Sequence, residues 1–240
     1  MKRFEYRVGE NVLIFRFGIT SNKKIAPNNK ISIGQVYTFS IAQFEHIQKG
    51  GDIMGIFDHD ESCCLDCPLR KSNNNGKLTC YTNKWPQARG FAAMIRSVIR
   101  KYKGCENIPH IPQDLPAEIL EECRGKYIRW GTYGEPVFTP FHWMQAINNV
   151  AFSYTGYTHQ YAKEEYYPYS LYLMASTHSI FERAMANKLG WLCFTSTSDS
   201  IGDLVCPASN ESGFKTTCFK CGLCSGIMGK GDKNIQILLH

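Results

Sequence analysis

Four cysteines within nineteen residues, Cys206, Cys218, Cys221 and Cys224, constrain this chain more than any other stretch of it. Eleven residues separate Cys206 from Cys218, and two lie within each of the next intervals, Cys218-Phe219-Lys220-Cys221-Gly222-Leu223-Cys224. A turning chain with a cysteine at every third position aims three sulfurs at one point, and a fourth arrives from across a loop. Four soft thiolates so spaced predict a [4Fe–4S] cube, with zinc as the alternative that takes the same four ligands.

A second group precedes it. Cys63-Cys64-Leu65-Asp66-Cys67-Pro68-Leu69 and, after an Asn-rich turn, Cys80-Tyr81 place four thiols within eighteen residues. Cys63, Cys67 and Cys80 are the expected ligands, with Cys64 as the spare thiol. Three thiolates hold a cube with one iron open; four close it. A zinc knuckle or buried free thiols is the alternative, and His59 reads as a loop residue. All eleven cysteines are accounted for by these two bunches and three scattered residues. Bunching, the absence of an apolar leader in MKRFEYRVGE and the absence of a bilayer-length apolar run point to metal ligation in a reducing cytoplasm, without a membrane.

At 240 residues and 43% hydrophobic, the chain buries a sizeable core as one domain or two. The formal charge of +6 permits an anionic partner without specifying one. Residues 1–57 form a strand-rich segment packed on the core, with strands at 12–17, 31–33 with 36–39, and 53–57, and a short helix at 41–49. Residues 58–205 carry the first cysteine group and the α/β core, and residues 206–240 carry the late group and a last strand at 234–239. Phe91, Met94, Ile95, Val98, Ile99 and Tyr102 make one apolar stripe on a helix over 86–103, and a shorter helix covers 115–123.

From Lys126 strands and helices alternate: a strand at 127–130, a helix at 139–154 and a strand at 169–175. A helix capped by Ser179 and Glu182 follows, then a strand at 191–195. This order predicts an α/β fold with parallel strands, a partial or complete parallel barrel with cysteine-rich cluster-binding loops. No GxGxxG follows any strand, which disfavours a dinucleotide-binding sheet. Ligands in such folds gather at the carboxyl ends of the strands. Glu135, Tyr157, His159 and His178 fall there as candidate catalytic residues, and Thr132, Ser176, Thr195 and Ser196 as candidate cofactor-binding residues. Each alone also suits a turn or a helix cap.

The early cysteines with Cys80-Tyr81, the stretch Gly156-Tyr157-Thr158-His159, Gly190-Trp191, and the late Cys206-Pro207-Ala208 with Cys221-Gly222-Leu223-Cys224 resemble the motifs of a phage and mobile-element protein family. The resemblance covers roughly residues 60 to 225 and implies a bacterial host cytoplasm. That family is similar in layout to radical S-adenosylmethionine enzymes. The likeness implies a cube on Cys63, Cys67 and Cys80 whose open iron takes S-adenosylmethionine, an auxiliary cluster on the late four, a reductant protein and an unknown small-molecule or macromolecular substrate. The usual CxxxCxxC pattern keeps its first interval here, but twelve residues, not two, precede Cys80. Two other classes compete. One is a cluster- or zinc-stabilised binding module for protein or nucleic acid, using Arg89, Arg96 and Arg100; the other is an electron carrier with two closed clusters.

Overall fold

Among the described residues the apolar runs extend into ten strands, and seven α-helices fill the connections. The structure is a computed structural model, and it describes residues 2–20, 22–25, 31–77, 79–80, 82 and 84–238. Tyr81 of the Cys80-Tyr81 pair and Leu239 of the expected last strand lie outside the described residues. In chain order the elements are β1 (Lys2–Val8), β2 (Asn11–Ile19), β3 (Ser32–Ser40), α1 (Ile41–Gln48), α2 (Glu61–Cys64), α3 (Trp85–Tyr102) and α4 (Ala117–Cys123). They continue as β4 (Tyr127–Tyr133), α5 (Phe141–Val150), β5 (Ser153–Thr155), β6 (Tyr157–Thr158), β7 (Met174–Thr177), α6 (Ile180–Lys188), β8 (Cys193–Thr197), β9 (Leu204–Val205), α7 (Cys218–Cys221) and β10 (Ile235–Leu238).

Two five-stranded sheets result, in the orders β1-β2-β3-β4-β5 and β6-β7-β8-β10-β9. The ladders β1–β2 and β2–β3 are antiparallel; every other pairing is parallel. The class is therefore mixed α/β with parallel strands. The hydrogen-bonded ladders form two sheets and do not close into a ring. Only Gly156 separates β5 from β6. A Cβ there would stand 2.7 Å from Trp130 Cβ and 2.5 Å from Leu173 Cδ2, so the chain passes between these side chains because residue 156 has none.

One face of the parallel strands is covered by helices. Trp130, Ala175 and Cys193 pack with Trp143, Met144 and Ile147 of α5 and Ala186 of α6 in one apolar cluster. The cluster around Phe39, Phe44, Phe91 and Ile95 seats α1 and α3. Fully burying each such aliphatic or phenyl side chain contributes about 1.5–3 kcal/mol. Alternation along the strands sends Tyr157, Met174 and Phe194 to the opposite face, where they meet Cys206 and Cys224.

Several expected boundaries shift for local reasons. The expected strand at 53–57 is a 3-10 turn over Met54–Asp58, because Asp52 Oδ1 accepts the N–H groups of Met54 and Gly55 and curls the chain. The helix expected to reach residue 154 stops at Val150, since Ser153–Thr155 extend to pair with β4. The expected strand at 169–175 begins only at Met174; the tyrosine-rich residues before it wind as a 3-10 helix, Glu164–Leu171, with Pro168 inside. The runs at 31–33 and 36–39 are one strand, β3. No described helix is long and apolar enough to cross a membrane.

Candidate functional site

Five strand ends meet on one side of the sheets, and the early cysteine loop lies against them. β4 ends at Tyr133, and Glu135 follows it, fully inside the protein at 4% exposure. Its backbone N–H donates to the Cys63 carbonyl at 2.8 Å, and its own carbonyl accepts from Thr38 Oγ1 at the end of β3. The carboxylate reaches β6: Thr158 Oγ1 donates to Oε2 at 2.6 Å, and the backbone N–H and Nδ1 of His159 approach Oε1 at 3.2 and 3.0 Å. With its acid side so held, the His159 ring turns Nε2 outward, 3.8 Å from Cys67 Sγ and 3.2 Å from His178 Nε2.

His178 is fixed from its other side. Its Nδ1 lies 2.8 Å from Ser196 Oγ of β8, and its backbone N–H donates to Glu182 Oε2. The expected capping of α6 is thus offset by one residue: Ser179 Oγ accepts from the Glu182 N–H, but the Glu182 carboxylate takes the N–H of His178. The two rings stack at 5.4 Å between centroids. Burial alone would lower the His159 pKa, but its hydrogen bonds to Cys67 and Glu135 and their charges push it up to about 10. Burial and the neighbouring His159 charge lower His178 to about 4.

The loop carrying the early cysteines is braced from within. Arg70, itself buried, binds Asp60 Oδ1 through Nε and the Leu65 carbonyl through Nη1, both at 2.8 Å. The Cys67 N–H donates to the Cys64 carbonyl at 3.1 Å, closing a turn whose Leu65 has φ of 47°. A leucine in that region costs about 1–3 kcal/mol, a strain that the surrounding bonds must hold. Cys63 is fully buried among Phe39, Phe44 and Phe57, with its sulfur on the Asp60 carbonyl at 3.4 Å. Cys64 is only partly buried; its hydrogen bond with Cys63, burial and the charges of Cys63, Asp60 and Cys67 push its thiol up. Cys80 is pushed up by burial, opposed by hydrogen bonds from Thr82, and it senses Cys67. His59 stacks on His46, away from these sulfurs.

The late cysteines collect on the opposite face. The N–H groups of Cys218 and Phe219 donate to the carbonyls of Lys24 and Ile25, Cys206 N–H donates to Gln236 O, and Cys224 O accepts from Gly156 N–H. Gly222 follows α7 with φ of 67°, and a Cβ there would stand 2.8 Å from Ser153 Oγ; only glycine turns the chain between Cys221 and Cys224. Burial pushes Cys206, Cys218 and Cys224 up, and each is raised further by other thiols of the set. Lys24 and Arg129 act in the opposite sense on Cys218, and Tyr157 does so on Cys224 through a hydrogen bond.

Of the residues singled out in the sequence, Glu135, His159, His178 and Ser196 come together. Tyr157 faces the late cysteines and stacks on Phe194 at 4.5 Å. Thr195 pairs with Thr177 inside the helix-covered layer, Thr132 bonds its own strand at Arg129 O, and Ser176 is half-buried on β7. Thr158, from the Gly156–His159 stretch, and Glu182, expected only as a helix cap, are positioning residues not named as site candidates in the sequence. Gln160, 1% exposed, has neither side-chain amide atom paired. Arg89, Arg96 and Arg100 lie on the solvent side of α3.

Among the described residues no three Cys, His, Asp or Glu side chains stand close enough, as placed, to hold a single metal ion. The thiolates of a cube bind separate irons, so a cube asks for a looser set than one ion does. The late four fit such a group by chemistry: they are mutually sensed soft donors with two cations alongside, and a metal removes the cost of ionising buried thiols. Comparison with protein-family models, curated proteins and solved structures returns no match to this chain.

Proposed function

We propose that this protein is an iron–sulfur enzyme of the S-adenosylmethionine-dependent type, with its reaction site at the carboxyl ends of β3, β4, β6, β7 and β8. What supports the reading is the early cysteine loop lying against these strand ends, where Cys67 Sγ is 3.8 Å from His159 Nε2, while Cys63 is buried among Phe39, Phe44 and Phe57. Cys64, Cys67 and Cys80 supply three thiolates in this reading, the number that leaves one iron of a cube without a protein sulfur. In this reading Cys206, Cys218, Cys221 and Cys224 hold an auxiliary [4Fe–4S] cluster on the opposite face, and the parallel strands form the wall of a partial barrel between the two.

Cys64, Cys67 and Cys80 would hold the cube, which when bound and reduced by an electron-carrier protein would supply one-electron reductive cleavage of S-adenosylmethionine. The chain's own residues do the rest. Glu135 orients His159, Ser196 and Glu182 orient His178, and together these groups present hydrogen-bonding nitrogens to a polar substrate.

Anaerobic purification followed by iron, sulfide and zinc analysis tests the first half of the proposal: about eight irons and eight sulfides per chain are expected for two cubes. Stoichiometric zinc without visible colour overturns it. The second half is tested by EPR of the dithionite-reduced protein with and without S-adenosylmethionine, together with assay of 5′-deoxyadenosine. An unchanged signal and no product leave an electron carrier as the reading.

A further inference from the structure

We infer that the solvent face of α3 is a docking rail for single-stranded nucleic acid, its arginines on the phosphates and Trp85 stacked on a base. This surface works whether or not either cysteine set holds a cluster. Residues 84–103 contain six cations, Lys84, Arg89, Arg96, Arg100, Lys101 and Lys103, and no acidic residue. The formal charge of the whole chain is +6, so the rest of the chain is balanced and the excess sits on this one segment. Lys101 pairs with Glu5 at 2.6 Å. The other five are exposed, and none has an ion pair or a side-chain hydrogen bond among the described residues. A helix face that merely meets water is ordinarily laced with opposite charges at i,i+4. Here Arg96 and Arg100 stand at that spacing with the same sign, and an anion from outside the chain relieves them.

The helix lines these cations up. With about 100° of turn and about 1.5 Å of rise per residue, Trp85, Arg89, Arg96 and Arg100 fall within about 60° of one another around α3 and span about 22 Å. Phe91, Ile95 and Val98 face the core instead. The exposed residues between the arginines, Gly90 and Ala93, are small and leave the guanidiniums open. Trp85 selects among anions. It is 53% exposed, although indole is ordinarily well buried, and no ring or cation packs against it among the described residues. Pro86 in the first turn fixes it at the head of the row. A flat aromatic face in line with guanidiniums suits an unpaired base and its phosphates. A base inside a duplex offers no such face, and a lipid headgroup or a run of carboxylates has no ring to stack. Trp85 also lies three residues beyond Thr82, the partner of Cys80 Sγ at 3.0 Å, so the row begins beside the early cysteine loop.

The test titrates the full chain, purified anaerobically, against a fluorescein-labelled oligothymidylate of about 16 nucleotides, followed by anisotropy at several salt concentrations. The slope of log K against log salt is expected between about −2 and −3.5, at about 0.7 for each neutralised phosphate. Arg96→Gln combined with Arg100→Gln is expected to make that slope shallower by about 1.4. Trp85→Ala is expected to weaken binding roughly 10–100-fold and to leave the slope unchanged. Absence of binding, binding without salt dependence, or a double variant that keeps the full slope overturns the inference. Equal competition by an oligo(dA)·oligo(dT) duplex, by polyglutamate or by vesicles of anionic phospholipid also overturns it, since the face then belongs to a duplex, a peptide or a membrane. Should a variant fail to fold, photocrosslinking of the unaltered chain to a 5-bromouracil-containing strand decides. An adduct on the peptide that holds Trp85 supports the docking, and an adduct confined to other peptides overturns it.

Discussion

Around the late cysteines the neighbours are backbone, apolar side chains and cations: Met174, Ile235, Lys24 and Arg129. Around the early cysteines they are groups that exchange protons or orient ligands: Asp60, Glu135, His159 and His178. The late loop is held by main-chain hydrogen bonds at Cys206, Cys218 and Cys224, whereas the early loop adds to its main-chain bonds the buried Arg70–Asp60 side-chain brace and carries strain at Leu65. Similar donor sets thus sit in opposite settings. The difference teaches that two similar sets of thiols need not share a role, because what surrounds them differs in its capacity to exchange protons.

The comparison breaks most visibly if the late site proves dispensable. Cys224→Ser is expected to lose about four irons and to lower Tm by about 10 °C or more, since a structural metal contributes its binding energy to folding. Calorimetry under anaerobic conditions checks it, and an unchanged Tm makes the late site merely an ornament of the loop. Next in size is a contrast between adjacent residues. Cys64→Ser is expected to lose about four irons with little change in Tm, while Cys63→Ser keeps its iron and costs about 1–3 kcal/mol by placing a hydroxyl in an apolar core. Iron analysis and chemical denaturation of both variants separate them; the reverse pattern would return Cys63 to the ligand set.

Two smaller effects concern the strip between the sites. Gly156→Ala forces a methyl group against Trp130 and Leu173, and about 1–3 kcal/mol of stability is expected to go, by denaturant titration. Tyr157→Phe removes the hydroxyl from Cys224. A fall of on the order of 30–60 mV in the late cluster's reduction potential is expected, with the early cluster unmoved. Potentiometric titration followed by EPR would detect it, and a shift at both clusters would show that the two settings are not independent.

Much of the architecture is legible from residue order. Alternation of apolar strands with capped helices dictates parallel pairing, and polar residues just beyond strand ends come together because parallel strands all end on one side. That logic found Glu135, His159 and His178. It could not separate Tyr157 from His159, two residues apart: Tyr157 points along its strand's face to Cys224, while His159 lies past the strand end and follows Glu135. The same logic prefers Cys63 to Cys64 as a ligand, yet residue order does not say which of the two faces the core. Adjacent residues in a short helix face different directions, and which direction is the core depends on Phe39 and Phe44, some twenty residues away in sequence. The antiparallel β1 and the bend at Asp52 escaped because short charged strands and aspartate turns carry weak periodic signals.

The strand order β8-β10-β9 sets a timetable for synthesis. β9 leaves the ribosome before β10, yet β10 is its neighbour in the ladder. Cys206, Cys218, Cys221 and Cys224 all lie in the stretch between these two strands, so they remain outside the sheet until Ile235–Leu238 has docked beside Cys193–Thr197. During that interval the late thiols are an open loop, and docking of one four-residue strand then completes the sheet edge against which Cys206 packs.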